Sequence, residues 1–180
     1  MVRRVYVEKK PGFDIAAKSA LSDFRNFLGK SNLSNLRLLN RYDVEGAGDS
    51  EFKEAVKNVF SEPAADFVYY GEFDRNPGDK CFAVEYLPGQ YDQRADSAVQ
   101  CIELLNPSKG DPPVVKCAVV YVLSGVKDAD LEDIKKYVIN PVDSREAVMD
   151  LPKTLKEDYP EPDNVEIIEG FRALDETGLK

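Results

Sequence analysis

VEKKPGFD (residues 7–14) and VEYLPGQYD (residues 84–92) follow one pattern: Val-Glu, two variable positions, Pro-Gly, and an aspartate soon after. Working outward, Val7-Glu8 and Pro11-Gly12 answer to Val84-Glu85 and Pro88-Gly89 at an offset of 77. After one inserted residue, Asp14, Ala17, Ala20, Phe24 and Phe27 answer to Asp92, Ala95, Ala98, Ile102 and Leu105 at an offset of 78. Further on, Tyr42, Gly46, Phe52, Ala55, Val59 and Phe60 answer to Tyr121, Gly125, Leu131, Ile134, Val138 and Ile139 at an offset of 79. The offset changes only between periodic segments, where insertions are cheap. A period near 78 is too long for a solenoid repeat, so it reads as a duplicated small α/β domain spanning residues 2–73 and 80–149.

Each half opens with a strand candidate, residues 2–9 and 80–87, carrying β-branched and aromatic side chains. Pro-Gly ends it, and Asp14 or Asp92 stands where a helix cap is needed. The apolar residues that follow are spaced three, four, three, the spacing of one helical face. Gly29 and Pro107 stop these helices. Residues 35–45 and 114–123 are extended, long enough for one bent strand or a tight hairpin. Asp49 and Asp128 are again placed as caps, Pro63 and Pro141 mark the ends of the second helices, and residues 66–73 and 145–149 supply the last strands.

This order predicts an α+β fold of two ferredoxin-like units, each an antiparallel sheet with both helices on one face. Such a unit leaves its other sheet face bare, so two copies are expected to pack sheet to sheet or edge to edge as a pseudo-dimer. The expected organisation is repeat 1 in residues 1–75, repeat 2 in 80–149, and an acidic linker in 150–180 with Pro152, Pro160 and Pro162. Residues 165–171 regain β-type side chains, and residues 174–180 look like the opening of a helix, from which the natural polypeptide is expected to continue.

Composition narrows the function classes. Among 180 residues, 33 acidic side chains against 24 basic ones give a formal charge of −9, unsuited to a nucleic-acid backbone. No apolar run approaches the ~20 residues that span a bilayer, and the start lacks a signal-peptide core, so a cytoplasmic protein without membrane contact is expected. Cys81, Cys101 and Cys117 lack metal or redox spacing and read as buried free thiols. The chain has no histidine, which removes Ser-His and Cys-His nucleophile systems and imidazole metal ligands. No GxxxxGK[ST] or GxGxxG loop is present.

Four segments, EKKPGFD (8–14), LNRYDVEG (39–46), PGQYDQRADSA (88–98) and NPVDSREA (140–147), resemble the amino-terminal region of the large single-chain phosphoribosylformylglycinamidine synthases, in the form found in clostridia and related bacteria. In that family the region is a duplicated version of the small PurS subunit. The resemblance implies a structural and docking module that bridges a synthetase and a glutaminase on the same polypeptide. The whole enzyme is a ligase of purine biosynthesis that turns formylglycinamide ribonucleotide, ATP and glutamine into formylglycinamidine ribonucleotide, glutamate, ADP and phosphate. ATP and Mg2+ belong to the absent domains, and no catalytic residue, metal or cofactor is expected in this segment. The isolated module is expected to be a monomer or weak dimer.

The candidate contact residues lie in PGQYDQRADSA and NPVDSREA. Gln90, Gln93 and Arg94 have only residues such as Ile15 and Lys18 nearby in the first half. Arg94 reads either as a solvated charge or as a guanidinium for a phosphate or a partner's carboxylate. Asp143 and Arg145, in NPVDSREA, read either as turn residues or as docking contacts. Arg41, Tyr42 and Asp43 alternate along a strand and read as a cross-strand charge pattern. A stand-alone ferredoxin-like module that senses a metabolite and regulates a partner is the alternative function.

Overall fold

Runs of alternating or continuous β-branched and aromatic residues build β1 (Val2–Lys9), β2 (Asn35–Glu45), β3 (Asp66–Tyr70), β4 (Lys80–Tyr86) and β5 (Val114–Ser124), while β6 (Ser144–Ala147), Ser-Arg-Glu-Ala, has none and forms by pairing with β4. The 3.6-residue apolar stripes build α1 (Ile15–Asn26), α2 (Asp49–Ala55), α3 (Gln93–Leu105) and α4 (Asp128–Val138). The computed structural model describes residues 1–105, 107, 111–156, 170–175 and 177–178. All six strands join one antiparallel sheet in the order β3-β1-β2-β5-β4-β6.

The two halves therefore meet edge to edge, through an eleven-pair ladder between β2 and β5, and the sheet-to-sheet alternative is not taken. The two long extended segments are single strands of 11 residues each, with no hairpin. Each half contributes three strands in the order β-α-β-α-β. At the centre of the ladder Asn40 lies opposite Val119, positions 79 apart in sequence, so the strand order reads the same from either edge.

All four helices cover one face. Even-numbered positions of β2 and odd-numbered positions of β5 point into it, among them Leu36, Tyr42, Val44, Val115, Cys117 and Leu123. The helices pair across the halves. Phe24 of α1 packs with Ile134 of α4, and Lys30 just beyond α1 binds Asp130 at 2.9 Å and Asp133 at 2.6 Å. On the other side α2 packs beside Ala95, Ala98 and Ile102 of α3. Phe27 and Leu105, the last of each apolar series, are exposed because α1 has ended at Asn26 and α3 ends at Leu105 itself.

The other face is not bare. It presents Tyr6, Leu39, Ala83, Ala118, Val120, Val122 and Ala147, and two connecting segments lie against it. Phe73, which follows β3 rather than belonging to it, stacks edge-on to Tyr6 at 4.7 Å. Residues 148–156 then run from β6 toward β1 and β2. Their carbonyls are held by two buried arginines: Arg41 Nη1 donates to Val148 O at 2.8 Å, and Arg4 donates to Met149 O and, at 3.3 Å, to Asp150 O. Glu45 of β2 accepts from the Leu155 amide at 2.6 Å and the Thr154 hydroxyl at 2.9 Å, and the Leu155 side chain is buried. The front of the expected linker is thus a strap packed on the sheet. Residues 157–169 lie outside the described residues. The helix expected from residue 174 is not formed there: a single 3-10 turn, Phe171–Ala173, is followed by irregular backbone at 174–175 and a turn at 177–178.

Helix starts differ in detail from the expectation. Asp92 caps α3 through an Ala95 N–H bond to its Oδ1 at 3.0 Å. Asp14 stands at the start of α1 but turns its carboxylate to the Gly12 amide and to Lys18. Asp49 and Asp128 fall one residue inside their helices, where each meets a cation instead, Arg3 at 2.5 Å and Lys80 at 2.6 Å. The cap positions belong to Gly48 and Lys127, and Glu51 reaches back to the Gly48 amide at 3.0 Å. Gly125 is required at its position: its φ is +81°, and a Cβ there would stand 2.5 Å from Asn32 O.

Candidate functional site

Two adjoining clefts open around the end of β4 and gather all five candidate residues. The larger, ≈ 440 Å3, lies on the helical side between the start of α3 and the turn that follows α4. Gln93, Arg94 and Asp92 form one wall, Asn140, Asp143 and Ser144 the other, and Cys117, Val119 and Tyr121 of β5 the floor. The smaller, ≈ 210 Å3, lies beside it under the Pro88-Gly89 turn and is lined by Gln90, Lys116 and Arg145.

Each wall is built by local sequence. Pro88 and Gly89 (φ +85°) turn the chain out of β4, and Asp92 then fixes the first turn of α3, which sets where Gln93 and Arg94 project. Arg94 is exposed and reaches across the halves, with Nη1 donating to Asn40 Oδ1 at 2.5 Å. On the opposite wall Pro141 ends the helical run, and the Ser144 hydroxyl accepts from the Asn140 amide at 3.1 Å. The Asn140 side chain binds the Val142 amide at 3.2 Å and donates to Asp143 Oδ2 at 3.2 Å. Asp143 is half-buried and its carbonyl accepts from Leu87 N at 2.9 Å, tying this wall to the end of β4.

Arg145 is not free for a partner in the same way. Its Nε donates to Glu85 Oε1 at 2.8 Å, and Glu85 also lies 3.6 Å from Arg41 Nη2. Gln90 is exposed and its backbone amide closes the turn onto Leu87 O at 3.0 Å.

The thiols divide by position. Cys117 is buried in the cleft floor, and burial pushes its thiol well up, so it presents an apolar protonated surface rather than a nucleophile. Cys81 is half-buried, its thiol also raised by burial, whereas Cys101 is exposed on the outer side of α3, against the expectation of a buried residue. Tyr42, stacked on Phe60 with ring centres 4.5 Å apart, is pushed up to about 12 by burial and belongs to the core. No group of three or more His, Cys, Asp or Glu side chains among the described residues is arranged to hold a metal ion.

Sequence reasoning missed the buried ionic cluster on the opposite face. Arg4 binds Asp43 in bidentate fashion at 2.5 and 2.8 Å, and Arg41 Nε lies 3.4 Å from Asp43. Arg41 and Asp43 do form a cross-strand charge pattern with β1. What alternation could not reveal is that this face is covered, leaving Arg4 5% and Asp43 2% exposed.

The first half lacks a counterpart of two of the larger cleft's charges, Arg94 and Asp143. Ser144 opens β6 as Asp66 opens β3, opposite Tyr86 and Lys9 respectively, so Asp143 corresponds to Ala65. Asp92 precedes α3 as Asp14 precedes α1, so Arg94 corresponds to Ala16. No helix among the described residues is long and apolar enough to cross a membrane. Comparison of the chain with protein-family models and with curated proteins returns no match.

Proposed function

We propose that this chain is the amino-terminal structural and docking module of a large phosphoribosylformylglycinamidine synthase, a tandem duplication of a PurS-like unit that bridges the synthetase and glutaminase of one polypeptide. One observation carries the reading. PGQYDQRADSA and NPVDSREA, the two second-half segments in which the resemblance resides, lie far apart in sequence yet form the two facing walls of a single cleft. The first half brings its own corresponding turns together in the same way, Lys10 N to Ala65 O at 2.8 Å beside Leu87 N to Asp143 O at 2.9 Å, so what sets the second half apart is the set of residues, Gln93, Arg94 and Asp143, that it carries there.

The six-stranded sheet suits a bridge. Two halves fused through the β2–β5 ladder, with helices paired across them, form one body that can hold two partners at fixed separation. Ammonia released at a glutaminase must reach the acceptor without escaping to water, so the two sites must stay in register and enclosed. In this reading the rim around Gln90, Gln93 and Arg94 meets the synthetase, and the catalytic groups, ATP and Mg2+ lie outside the segment. The location is cytoplasmic.

The test is the mass of the native polypeptide in the source cells, detected with an antibody raised against these 180 residues. A band far above 20.2 kDa is expected. A band at 20.2 kDa would overturn the reading in favour of a stand-alone module.

A further inference from the structure

We infer that the larger cleft is a binding site for a small zwitterion, an α-amino acid, held with its carboxylate toward Arg94 and its ammonium group toward Asp143. This goes beyond docking and does not rest on it.

Four observations converge. First, a cleft of ≈ 440 Å3 falls in the size range of small-molecule sites and has an apolar floor, Cys117, Val119 and Tyr121, bounded by polar walls. Second, the walls carry opposite charge: Arg94 on the α3 side and Asp143 on the turn after α4. Third, these charges are not consumed where they stand. Among the described residues, the side chain of Arg94 donates to the Asn40 amide oxygen and that of Asp143 accepts from the Asn140 amide, neutral partners that orient each group without neutralising it. Fourth, the fold does not need them, because the corresponding positions of the first half are Ala16 and Ala65. Two opposite charges on facing walls, present in one half only, suit a ligand that carries both complements.

The same inventory argues against a phosphate ester. Arg145 lines the neighbouring cleft and is bound to Glu85, so Arg94 is the cation available in the larger one, which Asp92, Asp143 and the ion-paired Glu85 all line. A doubly charged phosphate would meet one guanidinium and three carboxylates, one of them already paired. A zwitterion instead offers its carboxylate to Arg94 and its ammonium group to Asp143, and Asp92, one oxygen of which caps α3, keeps its charge on the Arg94 wall. Gln93, Asn140 and Ser144 provide neutral donors and acceptors for the ligand's side chain.

Calorimetric titration of the 180-residue chain with glycine, L-serine, L-leucine and L-glutamine, and with acetate, methylamine and inorganic phosphate, tests this. At least one amino acid is expected to bind with a Kd below about 1 mM, with acetate and methylamine weaker by about tenfold or more. Arg94→Met and Asp143→Asn should each weaken that binding by about tenfold or more, and Arg94→Lys by less. Thermal unfolding of all three variants should stay near that of the parent, because Arg94 is exposed and Asp143→Asn keeps the shape of a half-buried side chain and an acceptor for the Asn140 amide. Should Arg94→Met fail to fold, Asp143→Asn carries the test alone. Absence of binding to a folded chain at about 10 mM amino acid would overturn the inference. So would preference for phosphate, or amino-acid binding unaffected by both substitutions.

Discussion

At the scale of single residues, the most consequential group is the buried pair Arg4–Asp43 with Arg41 beside it. The two buried cations share Asp43, with Glu85 3.6 Å from Arg41, and donate to carbonyls of the strap at Val148, Met149 and Asp150, while Arg41 Nε is left with only an ionic contact to Asp43 at 3.4 Å. Arg4→Met would leave Asp43 with only the more distant Arg41, and should cost about 3 kcal/mol or more of unfolding free energy. Arg4→Met combined with Asp43→Leu should cost less than the sum of the two single changes, which denaturant titration of the four proteins would show. Arg41 and Asp43 were legible as a charge pattern, yet their burial was not, since alternation along a strand does not say what covers the face. Arg94 was legible for a different reason: the two halves of the sequence can be matched position by position around it, so a guanidinium found in one half only stands out, whereas Asp143 was singled out by its place in NPVDSREA. Cys101 shows the limit of that logic, because a position on a helix does not say which side of the helix it occupies.

At the scale of elements, β1 and β2 have the bounds expected from sequence, whereas β3 stops at Tyr70, short of the expected residue 73, and β6 covers Ser144–Ala147 instead of 145–149 because Ser-Arg-Glu-Ala carries no β-branched run. Helix ends were less legible. Any of several adjacent polar residues can cap, and the choice between Asp49 and Gly48, or Asp128 and Lys127, is decided by ion pairs to Arg3 and Lys80 from distant strands. The continuation of α2 into a π-helical turn at Val56–Phe60, which places Phe60 on Tyr42, has no local sequence signal. The strap was read as linker because its prolines and charges look solvated, whereas Glu45 and the two arginines bind it through its backbone, to which composition is blind. Its attachment depends on pH. Hydrogen bonds from the Leu155 amide and the Thr154 hydroxyl hold the Glu45 carboxylate below its ordinary value, against a smaller opposing effect of burial. A depressed carboxylate contributes stability that is present above the unfolded-state value of roughly 4.3 and is lost as pH falls through the folded-state value. Hydrogen exchange should therefore show the Leu155 amide protected near neutrality and losing protection below about pH 4, with Glu45→Gln exchanging faster already at neutral pH. Equal protection across that range would contradict the contact.

At the scale of the whole molecule, two three-stranded halves join through their second strands, and that join could not be chosen from sequence. β2 and β5 carry apolar residues on both faces, which is compatible with stacking two sheets or extending one. Edge pairing prevails in the structure because it satisfies the backbone groups of both strands along eleven residue pairs while the helices of each half close over the other. The result is a rigid plate with helices on one side, a strap on the other, and its asymmetric cleft at one end. That shape supports the proposed bridging role, and the most direct measurement is enzymatic. The native polypeptide, captured from source cells with an antibody to these residues, is assayed for formation of formylglycinamidine ribonucleotide from formylglycinamide ribonucleotide, ATP and glutamine. Glutamine-dependent product formation that co-elutes with the captured polypeptide is the predicted result. A captured polypeptide that is intact and folded yet forms no product with either glutamine or ammonia would contradict the assignment.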